Sequence, residues 1–194
     1  MTIWATCRVA LRLLFVLTVL TGAIYPLLLT GLAQVVFPGR ANGTLIQQDG
    51  KAIGSQVIGQ PFDDPRYFWG RPSATSPFPY NAAASAGSNL GPASAALHER
   101  IRQRVETLRA SDPGNTSPLP VDLVTASASG LDPHISVAAA RYQVPRIARL
   151  RQIPEDTLLE LVAQHTAGRA LGFLGEPRVN VLALNLALDG VRVE

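Results

Sequence analysis

One cysteine, Cys7, is all this chain has, so no disulfide and no cysteine-built metal site can form within it. Cys7 precedes a long apolar run, whereas a lipid-modified cysteine would follow one, and it reads as a bystander. Beyond residue 40 the chain also lacks any excess of charge. Arg8, Arg12 and Arg40 account for the formal net charge of +3, and residues 41–194 carry 14 basic and 14 acidic side chains. A nucleic-acid binder needs a basic stripe on its folded part. A chain balanced beyond its first 40 residues has no such overall excess, and nucleic acid is set aside as a partner.

What is present first is a stretch without charge from Leu13 to Phe37, LLFVLTVLTGAIYPLLLTGLAQVVF. A helix of that length, at about 1.5 Å per residue, outreaches a hydrocarbon core about 30 Å thick. A cleaved signal sequence would have an apolar core of about 7–15 residues closed by a small-x-small site. This run is longer and is closed by no such site. The reading is therefore an uncleaved anchor: a cytoplasmic end at 1–12, a transmembrane helix at 13–37 and an extracytoplasmic domain at 38–194. Arg8, Arg12 and the terminal amine before the span favour that orientation.

The span is not uniformly oily. Thr18, Thr21, Gly22 and Tyr25 fall on one helical stripe, which Pro26, Thr30 and Gln34 continue further round. Small and hydroxyl residues let helices approach closely in lipid, and Gln34 needs a polar partner there. Tyr25, Pro26, Thr30 and Gln34 are accordingly candidates for contact with a partner helix, and Pro26 is expected to kink the chain.

The rest reads as one α+β domain. Residues 44–58 suggest two strands around Asp49-Gly50. Residues 60–95 hold six prolines yet also six of the twelve aromatics, which argues for a long ordered loop rather than a disordered linker. Ser94 to Ala110 is the clearest helix, with Leu97, Ile101, Val105 and Leu108 at helical spacing, and 112–120 is a linker. Asp132-Pro133 looks like a cap and first position of a helix reaching Tyr142. A second short helix is expected over 146–151 and a third from Pro154, where Glu155 and Asp156 suit the helix dipole. The tail VNVLALNLALDG is open between strand and helix capped by Gly190, and helix is preferred.

Candidate chemistry is sparse. TASASGLDPHIS, residues 125–136, offers Ser127, Ser129, Asp132 and His134, so a membrane-tethered hydrolase or ligand-binding module is the alternative reading. The G-x-S-x-G elbow is absent, and helix capping accounts for Asp132 and His134. His98, His134 and His165 lack metal-ligand spacing, and His98-Glu99 does not extend to H-E-x-x-H. No phosphate-cradling glycine loop occurs, nor the D-K-T-G sequence at which ATP-driven pumps are phosphorylated. Arg141, Arg146, Arg149 and Arg151 form a basic run that reads chiefly as a solvated helix face. Within it Gln143 and Arg146 are the candidates for holding an anion or a nucleotide.

Taken in order, YPLLLTGLAQ, GSQVIGQPF, YFWGRPSAT, PYNAAASAGSNLGP, VDLVTASASGLDPHIS, YQVPRIARLR and GEPRVNVLALNLALD resemble the C subunit of the Kdp-type potassium-transporting ATPase over nearly the whole chain. The resemblance implies a bacterial inner-membrane complex taking up potassium. Its potassium-conducting membrane subunit and P-type catalytic subunit are the partners, besides the lipid bilayer. The C subunit would be an accessory of assembly and activity that promotes ATP binding by the catalytic subunit. ATP is thus handled through the complex, with no cofactor or metal of the chain's own. The charge bias places the domain away from cytosolic ATP, so an indirect effect is expected. The aromatic loop, with few charges, is expected to dock on the conducting subunit through Tyr67, Phe68, Trp69, Arg71, Tyr80, Asn81 and Asn89.

Overall fold

The computed structural model describes residues 3–48 and 50–190. The chain divides into two compact units, Met1–Leu45 and Ile46–Glu194.

The first unit is a helix of 34 residues, Ile3–Val36, long and apolar enough to cross a membrane. It begins ahead of the uncharged run because nothing in 3–12 breaks it: no proline or glycine interrupts the segment, and Arg8 and Arg12 lie within it. The helix is α1 (Ile3–Val19), a π turn (Leu20–Ile24) and α2 (Tyr25–Val36). The π turn is how the chain accommodates Pro26. Proline has no N–H, and its ring crowds the carbonyl four residues back. The structure widens the preceding turn so that the Tyr25 N–H reaches the Leu20 carbonyl. Thr21 donates its hydroxyl to the Leu17 carbonyl at 2.7 Å, another local bond on that turn.

Phe37 leaves helical geometry before Pro38, as a residue preceding proline tends to. A short helix, α3 (Pro38–Ala41), follows. Asn42 donates to the Pro38 carbonyl at 2.8 Å and exchanges amide hydrogen bonds of 3.2 and 3.3 Å with Gln34. Gln34, expected to contact a partner helix, thus also has a polar partner within this chain in Asn42.

The division falls after the first residue of β1 (Leu45–Gln48), which pairs with β2 (Lys51–Ser55) in a two-stranded sheet. Gly50, at φ +74°, takes the left-handed conformation the turn requires; Asp49 lies outside the described residues. After the long aromatic loop comes α4 (Ala95–Ser111), with Ser94 at its N-cap position and Leu108 buried.

Residues 132–136 differ from the expectation. Asp132-Pro133 opens a strand, β3 (His134–Ser136), and not a helix. The cap belongs to Ser136, whose hydroxyl accepts from the Ala139 N–H at 3.0 Å and donates to Asp122. The helix behind it, α5 (Val137–Arg151), is a single element running through Pro145, where two were expected. The carbonyl of Arg141, which Pro145 deprives of a donor, belongs to an exposed residue, so solvent can satisfy it. Next come α6 (Glu155–Gln164), which buries Leu158 and Val162, the two-residue β4 (Thr166–Ala167) and β5 (Arg178–Asn180).

The three strands form an antiparallel sheet in the order β3-β5-β4, with Ile135 opposite Val179. The tail is strand and then helix: Asn180 ends β5 and accepts from the Ala183 N–H at 3.0 Å, capping α7 (Val181–Leu188). Gly190, at φ +77°, follows its C-terminal end. One core joins Ile135 and Val179 of the sheet to Leu108, Ile147, Leu158 and Leu184 of the helices, with Phe68 and Trp69 from the aromatic loop packed among them.

Candidate functional site: the braced aromatic loop

Residues 60–95 contain little regular structure, one 3-10 turn at Ala82–Ala84, yet the loop is fixed along its length. The reason is side chains from the helices that bond its backbone. Gln143 of α5 accepts from the Trp69 N–H at 2.8 Å and donates to the Trp69 carbonyl at 3.1 Å. Asn185 of α7 does the same for Phe68, with both bonds at 2.9 Å. Two buried amides thus stand in for a neighbouring strand, satisfying backbone groups that burial would otherwise leave costly.

Arg146 lies beneath them, 2% exposed. It donates to the Pro65 and Tyr67 carbonyls and to Gln143, and its guanidinium stacks 4.4 Å from the Trp69 ring centroid. Burial lowers its pKa to about 10. From α4, Arg104 bonds the Leu123 and Gly70 carbonyls and approaches the Trp69 ring at 5.3 Å. Arg151 donates to the Arg66 carbonyl, pairs with Asp189 at 2.7 Å and lies 4.5 Å from the Tyr67 ring centroid, while the Tyr67 hydroxyl donates to the same Asp189.

Gln143 and Arg146 are therefore internal braces, and their polar atoms are turned to the loop rather than to an anion. Of the basic run only Arg141 and Arg149 are well exposed, and Arg149 pairs with buried Asp112 at 2.8 Å. The solvated basic face expected from sequence is therefore divided: Arg141 and Arg149 stay on it, while Arg146 is buried and Arg151 half-buried. Phe68 and Trp69, expected at a partner surface, are 0% and 4% exposed and belong to the chain's own core.

Tyr67, Arg71 and Tyr80 are half-buried, Asn81 is buried and Asn89 is exposed. Tyr80, at φ +57°, donates its hydroxyl to the Arg71 carbonyl at 2.6 Å. Its ring fills the space over Gly59 and Gly70, where an added Cβ would come within 2.3 Å of the ring and 2.7 Å of the hydroxyl oxygen respectively. Burial pushes the Tyr80 pKa up to about 12. Asn81 caps the 3-10 turn through the Ala83 N–H and donates to the Ser76 carbonyl. Among the expected span contacts, Tyr25 and Pro26 border the π turn, Thr30 lies in α2, and Gln34 is held by Asn42.

The stretch 125–136 forms the loop's other border. Ser127 accepts from the Gly130 N–H and Ser129 from the Leu131 N–H, so both hydroxyls shape the turn. Asp132 accepts from the His134 N–H at 3.0 Å and from Arg71 at 3.1 Å. Burial raises its pKa, but the bonds from His134 and Arg71 outweigh that and leave it below its ordinary value. A shallow cleft beside it is lined by Arg71, Asp122, Asp132, His134, Glu176 and Arg178. Among the described residues, no three His, Cys, Asp or Glu side chains are grouped so as to hold a metal.

Sequence reasoning missed Arg104 and Asn185. Asn185 sits in an apolar helix, VLALNLAL, and a lone amide in such a run is the one signal that marks a buried partner.

A helix long and apolar enough to cross a membrane, followed by an α+β domain whose buried polar side chains brace its own loop, defines the class: an α+β domain protein with a candidate membrane span. The chain belongs to the KdpC family, described as the c chain of K+-transporting ATPases, whose model matches residues 7–190. It is 63% identical over 94% of its length to a potassium-transporting ATPase KdpC subunit of Methylococcus capsulatus, covering 96% of that protein. It is equally 63% identical to that of Sorangium cellulosum, over 97% of this chain and 99% of the relative. With the subunit of Methylibium petroleiphilum the identity is 62% over 95% and 97%.

Proposed function

We infer that this chain is a non-catalytic accessory subunit of an ATP-driven potassium uptake complex in the bacterial inner membrane. It works beside a potassium-conducting membrane subunit and a P-type catalytic subunit. The observation that carries the reading is that the family match runs from residue 7 to residue 190, taking in helix and domain together. The helix crosses the bilayer with its short end in the cytoplasm and the domain outside, in line with Arg8 and Arg12 ahead of the apolar run.

Any influence on ATP is indirect: the chain favours the conformation of its partners that binds nucleotide better, a coupling between distant sites. The commitment of Gln143 and Arg146 to the Trp69 segment supports this over direct contact. Purification of the tagged chain from bacterial membranes should bring both larger subunits with it, and a deletion strain should fail to grow at limiting potassium. A chain that purifies alone, or a deletion without a potassium phenotype, removes the reading. Photo-crosslinking of the domain to an azido-ATP in right-side-out vesicles would overturn the indirect route.

A further inference from the structure

Among the described residues of the domain, the β4–β5 connection is the place where several large apolar side chains stand together in the open. Leu171, Phe173 and Leu174 are 83%, 68% and 49% exposed. The connection is firmly built. Ala170 and Leu174 exchange backbone hydrogen bonds of 2.8 and 2.9 Å, and below them Arg169 binds both carboxylate oxygens of Glu176 at 3.0 and 2.8 Å. Leu171 (φ +53°), Gly172 (φ +83°) and Gly175 (φ +77°) all take the left-handed backbone region. A γ-branched residue is unfavourable there, so Leu171 is held out by the turn rather than by any packing of its own.

We propose that this hairpin tip inserts into the lipid bilayer surface, as a second and weaker membrane contact besides the apolar helix. Three side chains fall short of the roughly 800 Å² that each partner gives to a stable protein–protein interface. Lipid contact needs no such area when the molecule is already tethered, because the second binding event is then intramolecular. The tether is short: residues 37–44 separate the apolar helix from β1, at most about 3.5 Å per residue even if fully extended. The charges around the tip suit an anionic headgroup layer. Glu176 is neutralised by Arg169, and exposed Arg178 has no carboxylate partner among the described residues. The idea rests on the anchoring given above and adds a contact that the anchoring does not require.

The test uses the full chain in vesicles of phosphatidylcholine and phosphatidylglycerol, three to one. With Cys7→Ser in place, an NBD fluorophore is attached through Leu171→Cys, or through Glu106→Cys on the exposed side of α4 as a control. Lipids with a doxyl quencher near the headgroup should quench the probe at 171 at least threefold more than the probe at 106. Adding Phe173→Ser and Leu174→Ser should cut the quenching at 171 at least threefold, and Phe173→Trp should preserve it. Equal quenching at both positions overturns the proposal. So does a tip shielded only after the larger subunits are added, which would make it a protein-docking element. Failure of the chain to float with the vesicles would instead strike at the anchoring itself, and the tip contact would fall with it.

Discussion

Replacing Gln143 by Leu tests whether the aromatic loop is held by side chains rather than by its own sequence. Leu nearly matches the volume but has no polar atoms. The change strands the N–H and the carbonyl of Trp69, a residue 4% exposed, and removes one acceptor from Arg146. Each buried backbone group left unpaired costs about 1–3 kcal/mol, and the added apolar burial returns part of that. The expected loss is about 2–4 kcal/mol. Gln143→Glu keeps an acceptor for the Trp69 N–H and for Arg146 and leaves only the Trp69 carbonyl without a donor, so it should lose less. The assay is equilibrium unfolding of the full chain in micelles, followed by tryptophan fluorescence. The chain has two tryptophans, so Trp4→Phe makes Trp69 the sole reporter. A loss below about 0.5 kcal/mol for Gln143→Leu would refute the reasoning, because the loop would then hold its shape without the amide.

Further outcomes rest on neighbouring contacts. Asn185→Leu should resemble Gln143→Leu, at about 2–4 kcal/mol in the same unfolding assay, because it strands both backbone groups of Phe68. Gly70→Ala drives a methyl group to 2.7 Å from the Tyr80 hydroxyl, and Gly59→Ala meets both the Tyr80 ring and the Asp132 carbonyl. Both should destabilise by about 1–3 kcal/mol, Gly59→Ala more, as read by urea midpoints. Tyr80 has its pKa raised from 10.0 to about 12, so its contribution to stability is intact below pH 10 and is lost as pH rises through 12. Absorbance titration should show a late tyrosine phase near pH 12 that Tyr80→Phe removes.

The elements whose local chemistry agrees with their tertiary setting were legible from sequence. α4 declares itself through Leu97, Ile101, Val105 and Leu108 with charges between, and α6 through Glu155 and Asp156 in its first turn. The ordered nature of 60–95 followed from its aromatics. Residues 132–136 misled because Asp132-Pro133 has the local form of a helix start, while pairing with β5, distant in sequence, makes the segment a strand. Ser136, one cap further on, carried the true boundary. Pro145 suggested two helices where packing keeps one.

The candidate site was harder to read. Trp69 and Tyr67 suggested an interface by composition, but core and interface use the same residues, and only the partners decide between them. Those partners, Gln143, Arg146 and Asn185, lie at least 74 residues away from the segment they hold. Periodicity carries no information over such a distance.

The π turn at Leu20–Ile24 bears on how the apolar helix meets any neighbour. An i to i+5 turn acts as a one-residue insertion, which sets the helix before it about 100° out of phase with the helix after it. A single helical wheel drawn through Thr18, Tyr25 and Gln34 therefore misassigns one of its halves. Deleting one residue within 20–24 would restore the register of a continuous α-helix while changing almost nothing in composition. It would also swing one half of the rod to a different side, so pairing along this rod depends on angular phase as much as on residue type.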